Sequence, residues 1–411
     1  MNAVYAVPGA EAPLEVLTYT SLFPNVCQPR NGIFIEQRLR HLLAAFPVRS
    51  RVVAPVPWFP FTGARFGQYG VFAAVPAHED QDGVPVWHPR YPVIPRVSWH
   101  VSPWLMYRAT RAAVARVHRE RPIDVIDAHF FYPDGVAAVM IGRELGVPVC
   151  ISARGSDITL MPDFALPRRW ILWAARAADG LVTVAGALRD RLVELGVDGA
   201  RIEVLRNGVD LARFQPLDRA PLRARLGLEG RVLVSVGNLI ELKGHHLIIE
   251  ALRELPDTTL MIIGDGPDRG ALEQLAARLG LASRVRFLGL VAQPDLKTYY
   301  SAADALVLAS SREGWANVLL EAMACGTPVA ATRVWGTPEV VAAPAAGVLI
   351  DERSPAGIAQ ALRHLFAHPP LRAATRAYAE GFSWEATSRG QYELFQRMRA
   401  ARGAQAAASA R

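Results

Sequence analysis

Three cysteines are all that this chain of 411 residues contains, and they stand far apart at Cys27, Cys150 and Cys325. An odd, widely spaced set argues against a disulfide framework, so we expect reduced thiols. No apolar run reaches the roughly 18 residues that a membrane-spanning helix needs. The first twenty residues lack the basic start and the long apolar core of a secretion signal. These absences predict a cytoplasmic protein, which can still touch the inner face of the cell membrane.

Acidic residues are in deficit, because 38 Asp and Glu stand against 45 Lys and Arg, with a formal charge of +7 and a pI near 9.6. A basic balance favours anionic partners such as nucleotide sugars, lipid phosphates or a membrane surface. The chain has no long Lys/Arg run and no zinc-finger spacing, so we do not expect nucleic acid as a partner. Most of the charge is arginine scattered over helical stretches, which a solvated surface explains.

Short apolar runs alternate with amphipathic stretches through most of the chain. This alternation is typical of parallel sheets with helices on both faces, and the length favours two domains of about 200 residues. The strand-poor stretch 214–230, which contains Pro216 and Pro221, separates two similar halves. We expect strands at 14–19, 48–56, 123–129, 147–153 and 180–185, and then at 231–237, 259–266, 284–289, 304–310 and 327–332.

Residues 56–105 interrupt the alternation with a proline-rich segment. Two interpretations are open: a surface that grips an acceptor or a membrane interface, or an irregular excursion whose aromatics fill a local core. The second is favoured because the segment has no helical amphipathic period. Its aromatic residues include Trp58, Phe59, Phe61, Trp87, Trp99 and Trp104.

The segment 310–341, SSREGWANVLLEAMACGTPVAATRVWGTPEVV, carries the strongest functional signal. A strand ends there in a polar loop, and a helix begins near 315–317, so unpaired amide groups and the helix dipole attract an anion. Gly314 has no side chain to obstruct a phosphate. Glu313 and Glu321 can accept hydrogen bonds from hydroxyl groups on either side of a diphosphate. Read alone, Glu313 is better interpreted as a cap of the helix N-terminus and Glu321 as a surface residue.

This segment closely resembles the acid–seven residues–acid signature of the retaining glycosyltransferases of family four. The likeness extends upstream through VLVSVGNLIELKGHHLIIEAL (232–252), LMIIGDGPDRGALEQLAARLGL (260–281) and the run 285–311. It covers essentially the whole second half. The resemblance implies the GT-B fold, an α/β architecture of two Rossmann-like parallel-sheet domains that face a central cleft.

The resemblance also implies roles for residues of the second half. Glu313 binds hydroxyls of the donor sugar, Glu321 binds the ribose, and Lys243 binds the leaving phosphate as a compact positive charge. Asn238 stands where the family commonly has an arginine, so one positive charge is missing unless Arg206 or Arg154 supplies it. The backbone that meets the nucleotide and its diphosphate is expected at Gly266, Gly314, Trp315, Ala316 and Asn317.

The first half resembles the family more loosely. SLFPNVCQPRNGIFIEQRLRHL (21–42) places Gly32 before a helix, in a loop that faces the donor phosphates in the family, and it is similar to proteins of teichuronic-acid and exopolysaccharide assembly. His129 ends a strand where the family commonly has a histidine beside the reacting sugar. Arg154 ends the next strand and is expected to bind phosphate. Read alone, Gly32 is explained nearly as well as an ordinary loop glycine, and His129 is better explained as a structural histidine.

The resemblance implies a retaining enzyme in which the leaving diphosphate helps to deprotonate the acceptor hydroxyl, with His129, Lys243 and Glu313 as the catalytic residues. It implies no cofactor and no metal, because the only D-x-D, at 80–82, is better interpreted as a solvated turn. The donor would be a UDP- or GDP-linked hexose, and the acceptor a glycan or a polyprenyl-diphosphate-linked glycan of a cell-surface polysaccharide.

The implied domains are an acceptor-binding domain at 1–214 and a donor-binding domain at 215–382. A final helix, 383–400, packs back on the first domain, and the Ala-rich tail 401–411 is expected to be disordered. Two alternatives stay open. One is a nucleotide-sugar epimerase of the same fold, and the other is a non-catalytic nucleotide-sugar-binding partner in a polysaccharide assembly complex.

Overall fold

The structure is a computed structural model, and it describes residues 12–93 and 98–409. The N-terminal segment that we expect not to be a secretion signal lies largely outside this range, as do residues 94–97 of the excursion. The chain forms two compact units. Unit 1 comprises the chain up to Thr183, Arg189–Leu205 and the chain from Glu385 onward, and unit 2 comprises Val184–Leu188 and Arg206–Trp384.

Unit 1 is built on an eight-stranded sheet with the order β10-β9-β8-β7-β1-β2-β5-β4, in which every pair except β4 with β5 is parallel. A separate parallel pair joins β3 to β6. The strands at the centre of this sheet are almost wholly buried, as is usual for parallel sheets with helices on both faces. The strands are β1 Leu14–Tyr19, β2 Val48–Val53, β3 Val56–Trp58, β4 His78–Gln81, β5 Val84–Trp87, β6 Arg90–Pro92, β7 Val125–His129, β8 Val149–Ala153, β9 Gly180–Thr183 and β10 Ile202–Val204.

The helices that follow these strands begin at the carboxyl ends of the strands. The first, α1, follows the loop after β1, and α4 follows β7 through a short, irregular helical turn at Phe131–Gly135. Chain segments that can bind a ligand therefore collect at one edge of the sheet. The helices are α1 Ile33–Ala45, α2 Gln68–Ala74, α3 Ser98–Glu120, α4 Val136–Leu145, α5 Ser156–Thr159, α6 Ala165–Ala177 and α7 Gly186–Glu194.

The proline-rich excursion has more regular structure than we expected, because it forms β3 to β6, α2 and the start of α3. These strands are difficult to predict from the sequence because they are short, contain proline and include partly exposed residues. The D-x-D segment lies in a tight hairpin turn: Asp82 has φ 49° and Gly83 φ 82°, and Asp80 accepts a hydrogen bond from Gly83 N at 2.8 Å. That arrangement is the solvated turn that we expected.

The aromatic residues of the excursion cluster with one another, and Phe59 packs against Phe61, Phe66 and Tyr69 with ring centroids 5.3–6.1 Å apart. The cluster is nevertheless open to solvent, since Trp58 and Phe61 keep 55% and 56% of their surface exposed. The expectation that these aromatics fill a local core is therefore only partly right.

Unit 2 is built on a six-stranded, wholly parallel sheet with the order β13-β12-β11-β14-β15-β16. Its strands are β11 Arg231–Val236, β12 Thr258–Ile263, β13 Val285–Gly289, β14 Ala305–Leu308, β15 Val329–Thr332 and β16 Gly347–Ile350. Its helices are α8 Arg219–Leu226, α9 His245–Ala251, α10 Arg269–Arg278, α11 Leu296–Ala302, α12 Asn317–Ala324, α13 Thr337–Val340, α14 Pro355–Ala367 and α15 Arg372–Glu380. Lys243 lies in a single helical turn, Glu241–Lys243, just before α9.

The last helix, α16, runs over Trp384–Ser409. Its residues Phe395 and Met398 share a hydrophobic core with Leu14 and Val125 of the unit 1 sheet. The tail expected to be disordered from 401 is helical through Ser409, because alanine has the highest helix propensity and Arg402 Nη1 donates a hydrogen bond to Ile123 O at 3.0 Å.

The structure also differs from the expected domain boundary after residue 214. The main segment of unit 2 begins at Arg206, because the extended segment that follows β10 makes its contacts within unit 2. Val209 N, for example, donates to Phe382 O at 2.9 Å. Within residues 12–93 and 98–409, no helix is both long and apolar enough to cross a membrane.

Candidate functional site

In unit 2, Lys243 and Glu313 form an ion pair at the carboxyl ends of β11 and β14. Lys243 Nζ lies 2.6 Å from Glu313 Oε1, and Ser310 Oγ donates to the same oxygen at 2.6 Å. The pair is partly buried, with 23% of the lysine and 10% of the glutamate side chain exposed. Two residues that are 70 positions apart in the sequence are therefore brought into direct contact, and both keep a solvent-facing part.

The loop from Glu313 to Asn317 leads directly into α12. Ala316 occupies the N-cap and has no side chain that can cap the helix, so the first amide groups of α12 keep their capacity to bind an anion. Gly336 packs so closely on Gly314 that an added Cβ would lie 2.3 Å from the Gly314 carbonyl oxygen. Trp315 is buried, and Asn317 Oδ1 accepts a hydrogen bond from Asn207 Nδ2 at 3.3 Å.

Glu321 lies one turn inside α12 and is buried. Its Oε2 accepts a hydrogen bond from Tyr300 OH at 2.9 Å, and its Oε1 accepts one from Gln293 Nε2 at 3.3 Å. Burial raises the pKa of the Glu321 carboxyl, and the two hydrogen bonds oppose that shift. Each carboxylate oxygen can accept more than one hydrogen bond, so Glu321 retains acceptor capacity for a hydroxyl group.

The other expected donor-binding residues of unit 2 follow its strands. Asn238 is exposed after β11. Gly266 follows β12, and a Cβ there would lie 2.4 Å from the Leu239 carbonyl oxygen, so only glycine fits. Arg206, one candidate for the missing positive charge, is engaged by Glu339 Oε2, with Nε at 3.0 Å and Nη2 at 2.6 Å. Its charge is thus already balanced within unit 2.

In unit 1, the loop after β1 makes a sharp turn into α1. Gly32 has φ 68°, and an added Cβ would lie 2.1 Å from the Leu22 carbonyl oxygen. Both the left-handed conformation and the close approach require glycine here. Asp134, after β7, holds the start of the same loop by accepting hydrogen bonds from Ser21 N and, at 3.1 Å, from Ser21 Oγ.

His129 ends β7 and is enclosed by charged residues. Its Nε2 lies 3.1 Å from Asp127 Oδ2, and its Nδ1 lies 2.6 Å from Arg154 Nη2. A guanidinium only donates hydrogen bonds, so Nδ1 is the acceptor and the proton is on Nε2, which donates to Asp127. Burial lowers the pKa of His129 to about 4 although Asp127 opposes the shift, so the ring is neutral near pH 7.

Arg154 follows β8 and is held at both ends. Asp157 Oδ1 accepts a hydrogen bond from the Arg154 backbone N–H at 3.1 Å, and the guanidinium lies 5.9 Å from the centre of the Phe34 ring. Phe34 is only two residues past Gly32. The structure therefore brings Gly32, His129 and Arg154 into one region of unit 1, where their strands end.

Three further residues of this region escaped the sequence analysis. Gln391 of α16 donates to Asp127 Oδ2 at 2.7 Å and accepts from Arg38 Nε at 2.8 Å. All three are buried. Gln391 lies seven residues after Trp384 and four before Phe395 on the buried stripe of α16, so helical periodicity places it inside; nothing in the sequence indicates its partners.

Family models match both halves of the chain. One described as "Glycosyltransferase Family 4" matches residues 64–213, and one described as "Glycosyl transferases group 1" matches residues 218–382. A D-inositol 3-phosphate glycosyltransferase of Frankia alni is 34% identical over 302 residues, which cover 66% of this chain and 74% of that protein. The chain belongs to the family-four glycosyltransferases.

A second similar glycosyltransferase is TuaC of Bacillus subtilis, named for teichuronic acid biosynthesis, which is 29% identical over 79% of this chain and 82% of its own length. The expected likeness to teichuronic-acid enzymes is thus present alongside a likeness to inositol-phosphate enzymes. Glycosyl transfer as the general activity is confirmed.

Solved glycosyltransferase structures share the fold. Sucrose-phosphate synthase of Thermosynechococcus elongatus superposes with a TM-score of 0.77 at 21% identity, covering 95% of this chain and all of that one. HepE of Anabaena, solved with UDP-glucose, gives a TM-score of 0.70 at 21% identity over 93% of this chain and 99% of its own. The expected GT-B class, with parallel α/β sheets in two units, is confirmed.

Proposed function

We propose that this glycosyltransferase is a retaining, metal-independent enzyme that takes a hexose from a UDP- or GDP-linked donor bound by unit 2. The Lys243–Glu313 pair at the start of α12 is the observation that carries the proposal. It sets a cation and a carboxylate in contact beside an uncapped helix N-terminus, where an anion is favoured.

In the proposed complex the diphosphate accepts hydrogen bonds from the first amides of α12 and from Lys243. Glu313 accepts hydrogen bonds from hydroxyls of the sugar, and Ser310 keeps that carboxylate in place through its 2.6 Å hydrogen bond. Glu321 accepts a ribose hydroxyl while Tyr300 and Gln293 hold its two oxygens. Each group is fixed before the donor arrives, which reduces the entropic cost of binding.

The proposed chemistry replaces the anomeric carbon–phosphate oxygen bond by a bond to the acceptor oxygen on the same face of the sugar. The acceptor proton passes to the leaving diphosphate, so no protein nucleophile is required. Lys243 and the helix dipole stabilise the negative charge that develops on that diphosphate. These residues supply positioning and charge, and no metal ion takes part in the proposal.

For the acceptor we propose a glycan or a polyprenyl-diphosphate-linked glycan of a cell-surface polysaccharide. The likeness to TuaC over 79% of the chain supports this class. A phosphorylated polyol is a second candidate, supported by the name of the Frankia relative and its 34% identity. A panel of UDP- and GDP-hexoses, tested against a lipid-linked glycan and against D-inositol 3-phosphate with mass spectrometry of the products, separates the two.

The donor site can be tested without mutation, because Lys243 and Lys297 are the only lysines of the chain. Lysine-directed reductive methylation, followed by peptide mass spectrometry, reports each one separately. We expect UDP or GDP to protect Lys243 and to leave Lys297 unprotected. Equal labelling of Lys243 with and without nucleotide, under conditions where calorimetry shows nucleotide binding, would contradict the proposed diphosphate contact.

Peripheral contact with an anionic bilayer is part of the proposal, through a surface formed by Trp58, Phe61, Arg65 and Tyr69, which we name the aromatic surface. All four residues are exposed, and Arg65 lies 4.7 Å from the centre of the Phe66 ring. Between residues 51 and 119 the chain carries only three carboxylates, Glu79, Asp80 and Asp82. Aromatic rings with arginine and little negative charge suit an anionic membrane interface.

Co-sedimentation with vesicles tests this contact. We expect binding to phosphatidylglycerol vesicles that weakens in Trp58→Ala/Phe61→Ala and in raised salt, while the matched surface variant Leu371→Ala, remote in sequence and 78% exposed, binds like the parent. Equal binding of the parent and both variants would remove membrane contact from the proposal and leave the donor site untouched.

The two alternative functions make different predictions. Conversion of UDP-N-acetylglucosamine to an epimer without any acceptor would favour the epimerase. Donor binding without transfer or slow hydrolysis, with every acceptor of the panel, would favour the non-catalytic partner.

A further inference from the structure

The loop that joins β16 to α14 places a guanidinium between two segments of unit 2. Arg353 Nε donates a hydrogen bond to Ala309 O at 2.9 Å, and its Nη2 donates to Glu241 O at 3.2 Å. Ala309 directly follows β14, and Glu241 opens the helical turn that ends at Lys243. One side chain therefore joins the end of β14 to the turn that carries Lys243.

The carbonyl of Ala309 lies at the centre of this junction. Ala309 is buried, and the chain after Lys243 packs so closely on it that a Cβ at Gly244 would lie 2.2 Å from the Ala309 carbonyl oxygen. The turn is thus seated on the same carbonyl that Arg353 holds. A buried carbonyl that loses its hydrogen-bond donor is destabilised, so removal of Arg353 disturbs the seat of the turn.

A guanidinium suits this bridge better than an ammonium does. Nε and Nη2 donate from one edge of a rigid plane, so Arg353 holds two carbonyls in a fixed relation, whereas an ammonium is a single point of contact. The Glu241 side chain adds an ion pair to Nη2 at 3.4 Å, but 74% of it is exposed and solvent screens the pair. The two backbone carbonyls therefore define the junction.

The backbone of Arg353 is itself fixed by the start of α14. Ser354 caps that helix, because its Oγ accepts a hydrogen bond from Gly357 N at 3.1 Å, and Ser354 N donates to Glu352 O at 2.8 Å. A Cβ at Gly357 would lie 2.3 Å from the same Glu352 oxygen. Arg353 therefore extends from a firmly held part of the loop.

A backbone hydrogen bond joins the same two segments at another point. Ser311 N donates to Leu242 O at 2.9 Å, directly before Lys243. One attachment alone would let the turn pivot, and Arg353 adds a second attachment earlier in both segments. The angle of the turn, and with it the direction of the Lys243 side chain, depends on both.

We propose that Arg353 is a positioning residue for Lys243: it fixes the Glu241–Lys243 turn against the end of β14, so that Lys243 meets Glu313 before a donor arrives. A cation that is already in place costs no reorganisation when charge develops on the leaving group. The proposal rests on the proposed function only for what Lys243 does, and Arg353 itself is given no contact with substrate.

The relative reactivity of two lysines reports the position of Lys243 without an assay of activity. Brief reductive methylation under native conditions, with peptide mass spectrometry, gives the labelling rate of Lys243 relative to that of Lys297 on α11. We expect Arg353→Gln to raise this ratio severalfold, because Lys243 Nζ leaves its 2.6 Å contact with Glu313. Lower overall stability does not by itself change the ratio in protein that circular dichroism shows to be folded.

Three matched variants separate the bridge from charge and from the ion pair. Arg353→Lys should behave like Arg353→Gln, since one ammonium cannot hold both carbonyls. Glu241→Ala removes only the exposed ion pair, so its ratio should equal that of the parent. Arg333→Gln should do the same, because Arg333 lies in the loop after β15 and pairs with Asp351 at 2.6 Å. A parent-like ratio in Arg353→Lys would overturn the bridge.

A double substitution tests whether Arg353 acts through Lys243. We expect Arg353→Gln to lower turnover of the best donor of the panel roughly tenfold in the parent, the effect of one lost hydrogen bond from a charged group. It should have little further effect in Lys243→Ala, because the residue that it positions is absent there. An equal loss in both backgrounds would overturn the positioning role.

Failure of the proposed function gives a different pattern from failure of this inference. Near-normal turnover of Lys243→Ala would remove Lys243 from the reaction, while a raised labelling ratio in Arg353→Gln would still support the positioning of its side chain. Loss of turnover in Lys243→Ala, with an unchanged ratio in Arg353→Gln, would leave the proposed function standing and overturn the role of Arg353.

Discussion

The polar residues at the strand ends of the two units differ in how far they are buried. In unit 2, Lys243 and Glu313 pair with each other and with Ser310, and both keep a solvent-facing part. In unit 1, Asp127 and His129 are buried, and each contacts a further buried partner of the same unit. Unit 2 thus leaves part of this charge open to solvent, whereas Asp127 and His129 of unit 1 are engaged with buried side chains.

This difference predicts that substitutions in unit 2 mainly remove functional groups of the proposed donor site. Substitutions in unit 1 should mainly disturb the arrangement of buried side chains. The ion pair of unit 2 is only partly buried, so solvent screens it more than it screens a fully buried pair, and two side chains must be ordered to form it. A buried network is costly to break, because a removed partner leaves another charge unpaired. Activity should therefore be the sensitive measurement in unit 2, and stability and pH dependence should respond more in unit 1.

The largest effect is expected from Lys243→Ala. Loss of the cation that stabilises the leaving diphosphate should lower turnover at least a hundredfold, or about 3 kcal/mol, with little change in thermal stability. Turnover of the best donor of the panel, with calorimetric unfolding, checks both parts. Lys297→Ala is the control because Lys297 lies on α11 and is the only other lysine. Near-normal turnover of Lys243→Ala would remove this residue from the site.

Glu313→Ala should affect the sugar more than the nucleotide. We expect roughly tenfold to a hundredfold weaker binding of the UDP-sugar and much less change in binding of UDP, because the carboxylate accepts from sugar hydroxyls. Isothermal calorimetry with both ligands measures the difference. Glu273→Ala, in an exposed ion pair on α10, is the control. Equal weakening of both ligands would show that Glu313 acts on the nucleotide.

Strands and helices of the main sheets could be read from the sequence, because buried parallel strands are apolar runs. The run at 231–237 became β11 and the run at 14–19 became β1. The hairpin of β4 and β5 could not, since HEDQ is polar and β4 pairs at an edge where only one neighbour is needed. A strand can be predicted from the local sequence when its burial requires apolar residues. β4 is mostly exposed, so its residues are polar and give no such signal.

For the site, the sequence placed Lys243 in a turn and Glu313 in the loop after a strand, but it did not show that they touch. Partner choice is a long-range property: Gln391 reaches Asp127 across 264 residues and Arg38 across 353. The expected role of His129 beside the sugar came from position alone. That role stays a prediction.

Asp134 gives a pH-dependent test of unit 1. Burial raises the pKa of Asp134 to about 7 although Ser21 donates two hydrogen bonds to it. Between about pH 4 and pH 7 the folded state therefore keeps a proton that the unfolded state has lost, so this group lowers stability as pH rises, by up to about 1.4 kcal/mol per pH unit.

Asp134→Asn should remove that slope and gain stability relative to the parent as pH rises from 4 to 7. Urea unfolding at several pH values measures the difference between the two proteins. Asp190→Asn, at an exposed carboxylate, should leave the slope as it is in the parent. A parallel pair of curves for Asp134→Asn and the parent would mean that Asp134 is already ionised at pH 4.

The smallest change in the free energy of unfolding is expected from Trp315→Phe. Trp315 belongs to unit 2 but is buried, so it tests whether the difference between the units depends on burial. Its Nε1 has no hydrogen-bond partner among the described residues, and its ring packs 6.1 Å from the Phe382 ring. Loss of an unpaired buried donor should regain about 1–3 kcal/mol, and the smaller ring should forfeit a similar amount in packing. We therefore expect the free energy of unfolding to change by less than about 1 kcal/mol, measured by urea unfolding. A loss well above that value would show that Nε1 donates a hydrogen bond, and that this edge of unit 2 is as tightly fixed as the buried network of unit 1.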